Sequence, residues 1–130
     1  MTRRSTVLLV EDDPDLTRFA DIALRLAGYH AVTVSDGEAA VAAARRIHPD
    51  MVLLDLRLPL LDGWQVLAAL QGEPELAAVP VVILSASADP RDHERARTAR
   101  IAGWVQKPLT ANRLLDVVEQ TLAAAPVARG

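Results

Sequence analysis

An α/β fold built on one doubly wound parallel sheet is what this sequence predicts, and three observations carry the prediction. Short apolar runs recur along the chain, at Thr6-Val7-Leu8-Leu9-Val10, Met51-Val52-Leu53-Leu54 and Val81-Val82-Ile83-Leu84. Runs of that length without polar alternation read as strands covered on both faces, which is the habit of parallel sheets. Between them lie segments with apolar residues at helical spacing, so strand and helix alternate five times. Each run also stops abruptly on a residue that carries chemistry: Glu11-Asp12, Asp55, Ser85 and, after a short last strand, Lys107.

The elements follow in order. Thr6–Val10 is the first strand, ending on Glu11-Asp12-Asp13. Pro14 suits the first turn of a helix and Asp13 its N-cap. Leu16, Phe19, Ala20, Ala23, Leu24 and Ala27 give that helix its stripe, and Gly28 stops it. His30–Val34, rich in β-branched residues, is a second strand. Ser35 and Glu38 have the spacing of a capping box opening a second helix, with Ala40, Val41, Ala44 and Ile47 inward and Pro49 beyond its end. After the Met51–Leu54 strand, Pro59 and Asp62-Gly63 force a loop and a turn. A third helix runs from Gly63 to about Gln71, broken by Gly72 and Pro74.

The fourth strand ends on Ser85. The segment from Asp89 to Arg100 predicts a polar helix, with only Ala96, Ala99 and Ile101 to face inward, and so the most mobile one. Trp104-Val105-Gln106 is the fifth strand. Pro108 after Lys107 is a candidate for a cis peptide bond. Thr110 caps the last helix, whose stripe is Leu114, Leu115, Val118 and Leu122. Residues 1–123 make one domain and 124–130 a short frayed tail, with no second domain.

Composition bounds the function. Half of the 130 residues are apolar but only 3% are aromatic, so the core is aliphatic. A net charge of −3 argues against a nucleic-acid surface, which needs clustered Lys and Arg. The absence of cysteine excludes disulfides, thiolate metal sites and thiol nucleophiles. The apolar run behind the basic Arg3-Arg4 is too short for a signal peptide or membrane span. These features read as a soluble cytoplasmic protein. No Gly-x-Gly-x-x-Gly follows the first strand, which argues against dinucleotide binding.

In a parallel sheet the carboxyl ends of all strands share one edge, where such folds keep their ligand crevice. Glu11, Asp12 and Asp55 would meet there and repel one another unless a cation were present. Hard oxygen ligands without His or Cys suit Mg²⁺. A hydroxyl (Ser85) and an ammonium (Lys107) suit a phosphoryl group. The implied chemistry is attack by the Asp55 carboxylate on phosphorus, giving an acyl phosphate.

The acidic pair after the first strand, Asp55-x-x-x-Pro59 with Asp62-Gly63, Ser85-Ala86 and Lys107-Pro108 together resemble the receiver domain of bacterial response regulators. Four motifs in order, each at a strand end, cover nearly the whole chain. The resemblance implies a flavodoxin-like fold of strand order 2-1-3-4-5. It makes Asp55 the acceptor of a phosphoryl group from a sensor histidine kinase or phosphotransfer protein. Asp12, Asp55 and the backbone carbonyl of Arg57 would bind Mg²⁺ directly, Glu11 through a water. Ser85 and Lys107 would hold the phosphoryl group. Trp104, three residues before Lys107, takes the place of the family's switch aromatic, usually Tyr or Phe. Phosphorylation would then shift the face made by the fourth helix, fifth strand and fifth helix, which binds a protein target or a second copy of the chain.

Two departures stand out. Arg100 occupies a place where the family often ends the fourth helix with glycine, so the helix must end on a strained backbone or differently. Arg57, two residues past Asp55, stands at a place that, by the resemblance, would shape water's access to the acyl phosphate. Two other functions compete. An aspartyl phosphatase would show Asp-x-Asp, and Arg57 stands where its second carboxylate belongs. A receiver-like binding module free of phosphate control would not need the full acidic, hydroxyl and lysine set. Of the remaining residues, His30, His48 and His93 are expected on the surface, away from the strand ends.

Overall fold

The computed structural model describes residues 4–124. The chain runs β1 (Thr6–Val10), α1 (Pro14–Leu26), β2 (His30–Val34), α2 (Gly37–Ile47), β3 (Met51–Asp55), α3 (Gly63–Gln71), β4 (Val81–Ser85), α4 (Pro90–Thr98), β5 (Gly103–Gln106) and α5 (Ala111–Ala124). All strand pairs are parallel, in the order β2-β1-β3-β4-β5. The flavodoxin-like order implied by the sequence motifs is therefore the one observed. From residue 125 on, the frayed tail expected at 124–130 lies outside the described residues. Among the described residues no helix is long and apolar enough to cross a membrane.

The pleat of the central strands divides the core in two. Leu8, Val10, Val52, Leu54 and Ile83 point to one face and pack with Ala40, Ala44, Val66, Leu67 and Leu70 of α2 and α3. Their neighbours Val7, Leu9, Leu53, Val82 and Leu84 point to the other, against Ala20 and Leu24 of α1 and Leu114 and Val118 of α5. Every residue of β3 and β4 is buried, which is why those strands show no polar alternation. Each fully buried Leu or Val contributes roughly 1.5–3 kcal/mol relative to exposure, so these central strands are the most firmly held part of the fold.

Helix ends follow local chemistry. Asp13 caps α1 by accepting from the Asp15 and Leu16 N–H groups. Gly28 (φ +96°) closes it: Gly28 N–H donates to Arg25 O and Tyr29 N–H to Leu24 O, a Schellman arrangement. The cap of α2 is a correction. Asp36, not Ser35, is the N-cap and accepts from Ala39 N–H, because α2 starts one residue later than a Ser35 cap requires. α3 carries the reciprocal capping box instead, Asp62 with Gln65.

α4 begins after its Asp89 cap and ends at Thr98, short of the expected Arg100. Its C-cap Ala99 is extended (φ −81°, ψ 151°), so Arg100 escapes the left-handed conformation. Arg100 is tied down instead by Gln71, whose amide donates to its carbonyl at 2.6 Å, and by its own guanidinium on Ala77 O.

Candidate functional site

Register brings the strand ends together. Val10 lies beside Leu54, Asp55 beside Leu84, and Ser85 beside Gln106. Glu11, Asp55, Ser85 and Lys107 thus stand on neighbouring strands at one edge. Pairing continues just past the strands: Glu11 N–H donates to Val34 O, Leu56 N–H to Leu84 O, and Lys107 N–H to Ser85 O. Three of the four are buried, with Glu11 1%, Asp55 4% and Ser85 1% exposed. Asp12 is open to solvent.

Asp55 is held at both oxygens. The Arg57 backbone N–H donates to Oδ1 at 3.1 Å, and Lys107 Nζ lies 3.3 Å from Oδ2. Lys107 comes closer still to Glu11, at 2.8 Å from Oε1. Glu11 Oε2 accepts the Asp13 N–H, whereas Oε1 is buried and, among the described residues, is held by this ion pair without an aligned hydrogen bond. One ligand oxygen from each of Glu11, Asp12 and Asp55 lies within 4.8 Å of the others. An all-oxygen acidic group with unused acceptor capacity on a buried carboxylate fits a hard divalent cation such as Mg²⁺.

The electrostatics reflect this crowding. Burial pushes the Glu11 carboxyl up to about 7 from its ordinary 4.5; the Lys107 ammonium pulls the other way and the negative Asp55 adds to the rise. For Lys107, burial would lower the ammonium's pKa, but the pull of Glu11 and Asp55 outweighs it and holds it above 10.5. The lysine is a fixed point charge between two carboxylates, and the site holds more negative charge than one ammonium balances.

Loops complete the arrangement. The Lys107–Pro108 peptide is cis. Ser85 Oγ accepts the Ser87 N–H at 2.8 Å, which leaves its own proton free to donate. Trp104 is not part of the cluster. It sits on β5 opposite Ile83, partly buried, with its ring 4.8 Å from that of His93 and its buried Nε1 without an acceptor among the described residues. His93 is exposed, as expected, and its ring lies against that of Trp104.

Three contributors escaped the sequence reading. Gly63 was visible only as a turn residue. A Cβ there would stand 2.6 Å from Asp55 O and from Leu56 Cα, so only glycine lets the start of α3 press against the end of β3. Ser87 and Asp92 are the others: the Ser87 hydroxyl donates to Asp92 Oδ2 at 2.6 Å, and Asp92 Oδ1 accepts from the Trp64 indole at 3.4 Å. No local signal marks a hydrogen bond between a loop serine, a helix aspartate and an indole on another helix.

Comparison with known proteins agrees with this geometry. Residues 7–119 match the family model of the response regulator receiver domain. The chain is 35% identical over 121 residues to the DNA-binding response regulator MtrA of Mycolicibacterium smegmatis, covering 93% of this chain but only 52% of that protein. It thus spans about half the length of this relative. Against the polar-differentiation response regulator DivK of Brucella ovis identity is 31%, over 92% of this chain and 98% of DivK. Among solved structures it resembles the receiver domain of a sensor histidine kinase from Pseudomonas aeruginosa, with TM-score 0.86, 30% identity and coverage of 94% and 100%. That structure was determined with a magnesium ion coordinated in the active site cleft. The chain belongs to the response regulator receiver domain family of two-component signalling.

Proposed function

We propose that Asp55 accepts a phosphoryl group from a sensor histidine kinase or phosphotransfer protein, and that this switches a protein-binding surface. The observation that carries the reading is the setting of Asp55: a buried carboxylate at a strand end, fixed by a backbone N–H and by Lys107, beside an acidic pair. A carboxylate oxygen attacks phosphorus, an O–P bond forms, the N–P bond of a phosphohistidine breaks, and the imidazole nitrogen leaves and recovers a proton. Lys107 neutralises charge on the phosphoryl oxygens, and Ser85 donates its free hydroxyl proton to one of them. Glu11, Asp12, Asp55 and the backbone carbonyl of Arg57 would hold Mg²⁺, with Glu11 acting through a water. When bound, that ion offsets the negative charge that gathers where phosphate meets three carboxylates.

The output is a shift in the face made by α4, β5 and α5, with Trp104 as its aromatic element, presented to a protein target or a second copy of the chain. Phosphorylation shifts a population that already exists rather than creating a new state. The role is a cytoplasmic one and requires neither nucleic acid nor membrane contact by this domain.

The test is intact-mass measurement after incubation with Mg²⁺ and acetyl phosphate. One phosphoryl group should add to the wild type, stable to acid and labile to base, and none to Asp55→Asn or to wild type in excess chelator. Equal labelling of Asp55→Asn, or no labelling of folded wild type, would overturn the assignment.

A further inference from the structure

We propose that Asp92 is a positioning residue that ties occupancy of the Asp55 site to the seating of α4 on α3, acting through Ser87. The inference deepens the proposed function and rests on it.

The fourth helix buries none of its residues. Its apolar hold on the core is limited to partly buried Ala96, with Ala99 and Ile101 just beyond it. What seats its first turn is a polar chain that begins in the phosphoryl site. Ser87 N–H donates to Ser85 Oγ at 2.8 Å. The Ser87 hydroxyl accepts the Asp89 N–H at 3.1 Å and donates to Asp92 Oδ2 at 2.6 Å. Asp92 Oδ1 receives the Nε1–H of Trp64, a buried residue of α3. One turn on, the Arg95 guanidinium lies 4.7 Å from the centre of the same indole. Asp92 thus uses one oxygen for the loop after β4 and the other for α3.

This chain of bonds runs without a break from Ser85 through Ser87 and Asp92 to Trp64. If Ser85 swings its oxygen toward a phosphoryl group, the Ser87 N–H loses its acceptor. Ser87 is itself buried, so its backbone must find a new partner, and the loop from 86 to 89 has to rearrange. That movement withdraws the Ser87 hydroxyl from Asp92. The freed carboxylate changes its hold on Trp64, and α4 is released from α3 at the end nearest the site. Asp92 is not among the residues assigned to the metal or to the phosphoryl group. Its part is to make the Ser85 position legible at the indole.

The indole N–H gives a direct readout. In ¹⁵N-labelled full-length chain, the Trp64 Nε1–H resonance is assigned by its loss in Trp64→Phe and followed as Mg²⁺ and acetyl phosphate are added, with phosphorylation measured by intact mass in each sample. The expected result is a shifted Trp64 resonance in phosphorylated wild type. In Ser87→Ala and Asp92→Asn, compared at equal phosphorylation, that shift is lost, and Ser87→Thr, which keeps the hydroxyl, restores it. Ser87→Ala retains the backbone N–H and stands alone as the test if Asp92→Asn fails to fold. A Trp64 resonance that shifts equally in Ser87→Ala, or that does not move in phosphorylated wild type, would overturn the inference and leave the role of Asp55 intact. No mass gain in any sample would overturn the assignment of Asp55, and this inference with it.

Discussion

α1 and α4 start alike and are held differently. Each follows a strand that ends in the acidic cleft, each opens with Asp-Pro, and each uses that aspartate as N-cap: Asp13 for α1, Asp89 for α4. Beyond the first turn they diverge. α1 drives Ala20 and Leu24 into the core and even leaves Phe19, Ile22 and Leu26 apolar on its outer side. α4 has no fully buried residue and, besides partly buried Ala96, relies on the Asp92 bonds, on Arg95 over Trp64 and on His93 against Trp104. Apolar burial is non-directional and hard to surrender piecemeal, whereas a few directional polar contacts can be exchanged when one partner moves. The helix that follows the acidic pair is therefore held by its buried stripe, and the helix that follows Ser85 mainly by polar and ring contacts.

Truncating the anchor of α1 should produce the largest effect. Leu24 is fully buried, so Leu24→Ala should lower global stability by about 2–5 kcal/mol in urea titration. No single side-chain truncation within α4 should approach that figure, and one that did would break the contrast.

The two helix starts should also respond to pH with opposite sign. Glu11, just before α1, has a folded pKa of about 7 against 4.5 for the free group. Between those values the folded chain keeps a proton that the unfolded chain has lost, so this group's contribution to stability falls as pH rises from 4.5 to 7. The effect is on the order of 3 kcal/mol at its fullest. Urea titrations across that window should show the decline in wild type and a flatter profile in Glu11→Gln. Added Mg²⁺ should reduce the decline, since it favours the ionised carboxylate.

Arg95→Ala removes the guanidinium above Trp64 at the cost of about 0.5–1 kcal/mol. Its mark should be local, with faster amide hydrogen exchange across residues 90–98 and unchanged exchange in α1. Smallest of all is the acid response at Asp89. Hydrogen bonds and the ion pair with Arg91 hold its carboxyl below 3.8. Its support of α4 is present above 3.8 and fades as pH falls through the lower folded value. Helix-specific exchange in acid should therefore rise in α4 before α1 in wild type, with the difference reduced in Asp89→Asn.

How much of this could be read from the chain differs between the two regions. The α1 side was legible because its signals are local or periodic: Asp13-Pro14 for the start, the stripe through Ala20 and Leu24, Gly28 for the stop. Around α4 the start was legible, and so was the shortage of apolar residues. The bonds that seat it were not, since Ser87, Asp92 and Trp64 belong to three different elements and no spacing rule connects them. The same holds for Ser35, whose capping-box spacing was matched by sequence yet lost to Asp36 at the true helix start. At the cleft, strand ends placed Glu11, Asp55, Ser85 and Lys107 on one edge from the sequence, but not that Lys107 would sit closer to Glu11 than to Asp55.

The sequence by itself determined the alternation of elements, the parallel sheet and the edge on which the polar residues gather, because hydrophobic period and strand termination are properties of neighbouring residues. Only the tertiary structure decided the lysine's share between two carboxylates, the approach of Gly63 to the Asp55 carbonyl, and the Ser87–Asp92–Trp64 chain. Those depend on distances between segments far apart in the chain, and such distances exist only once the layers have packed.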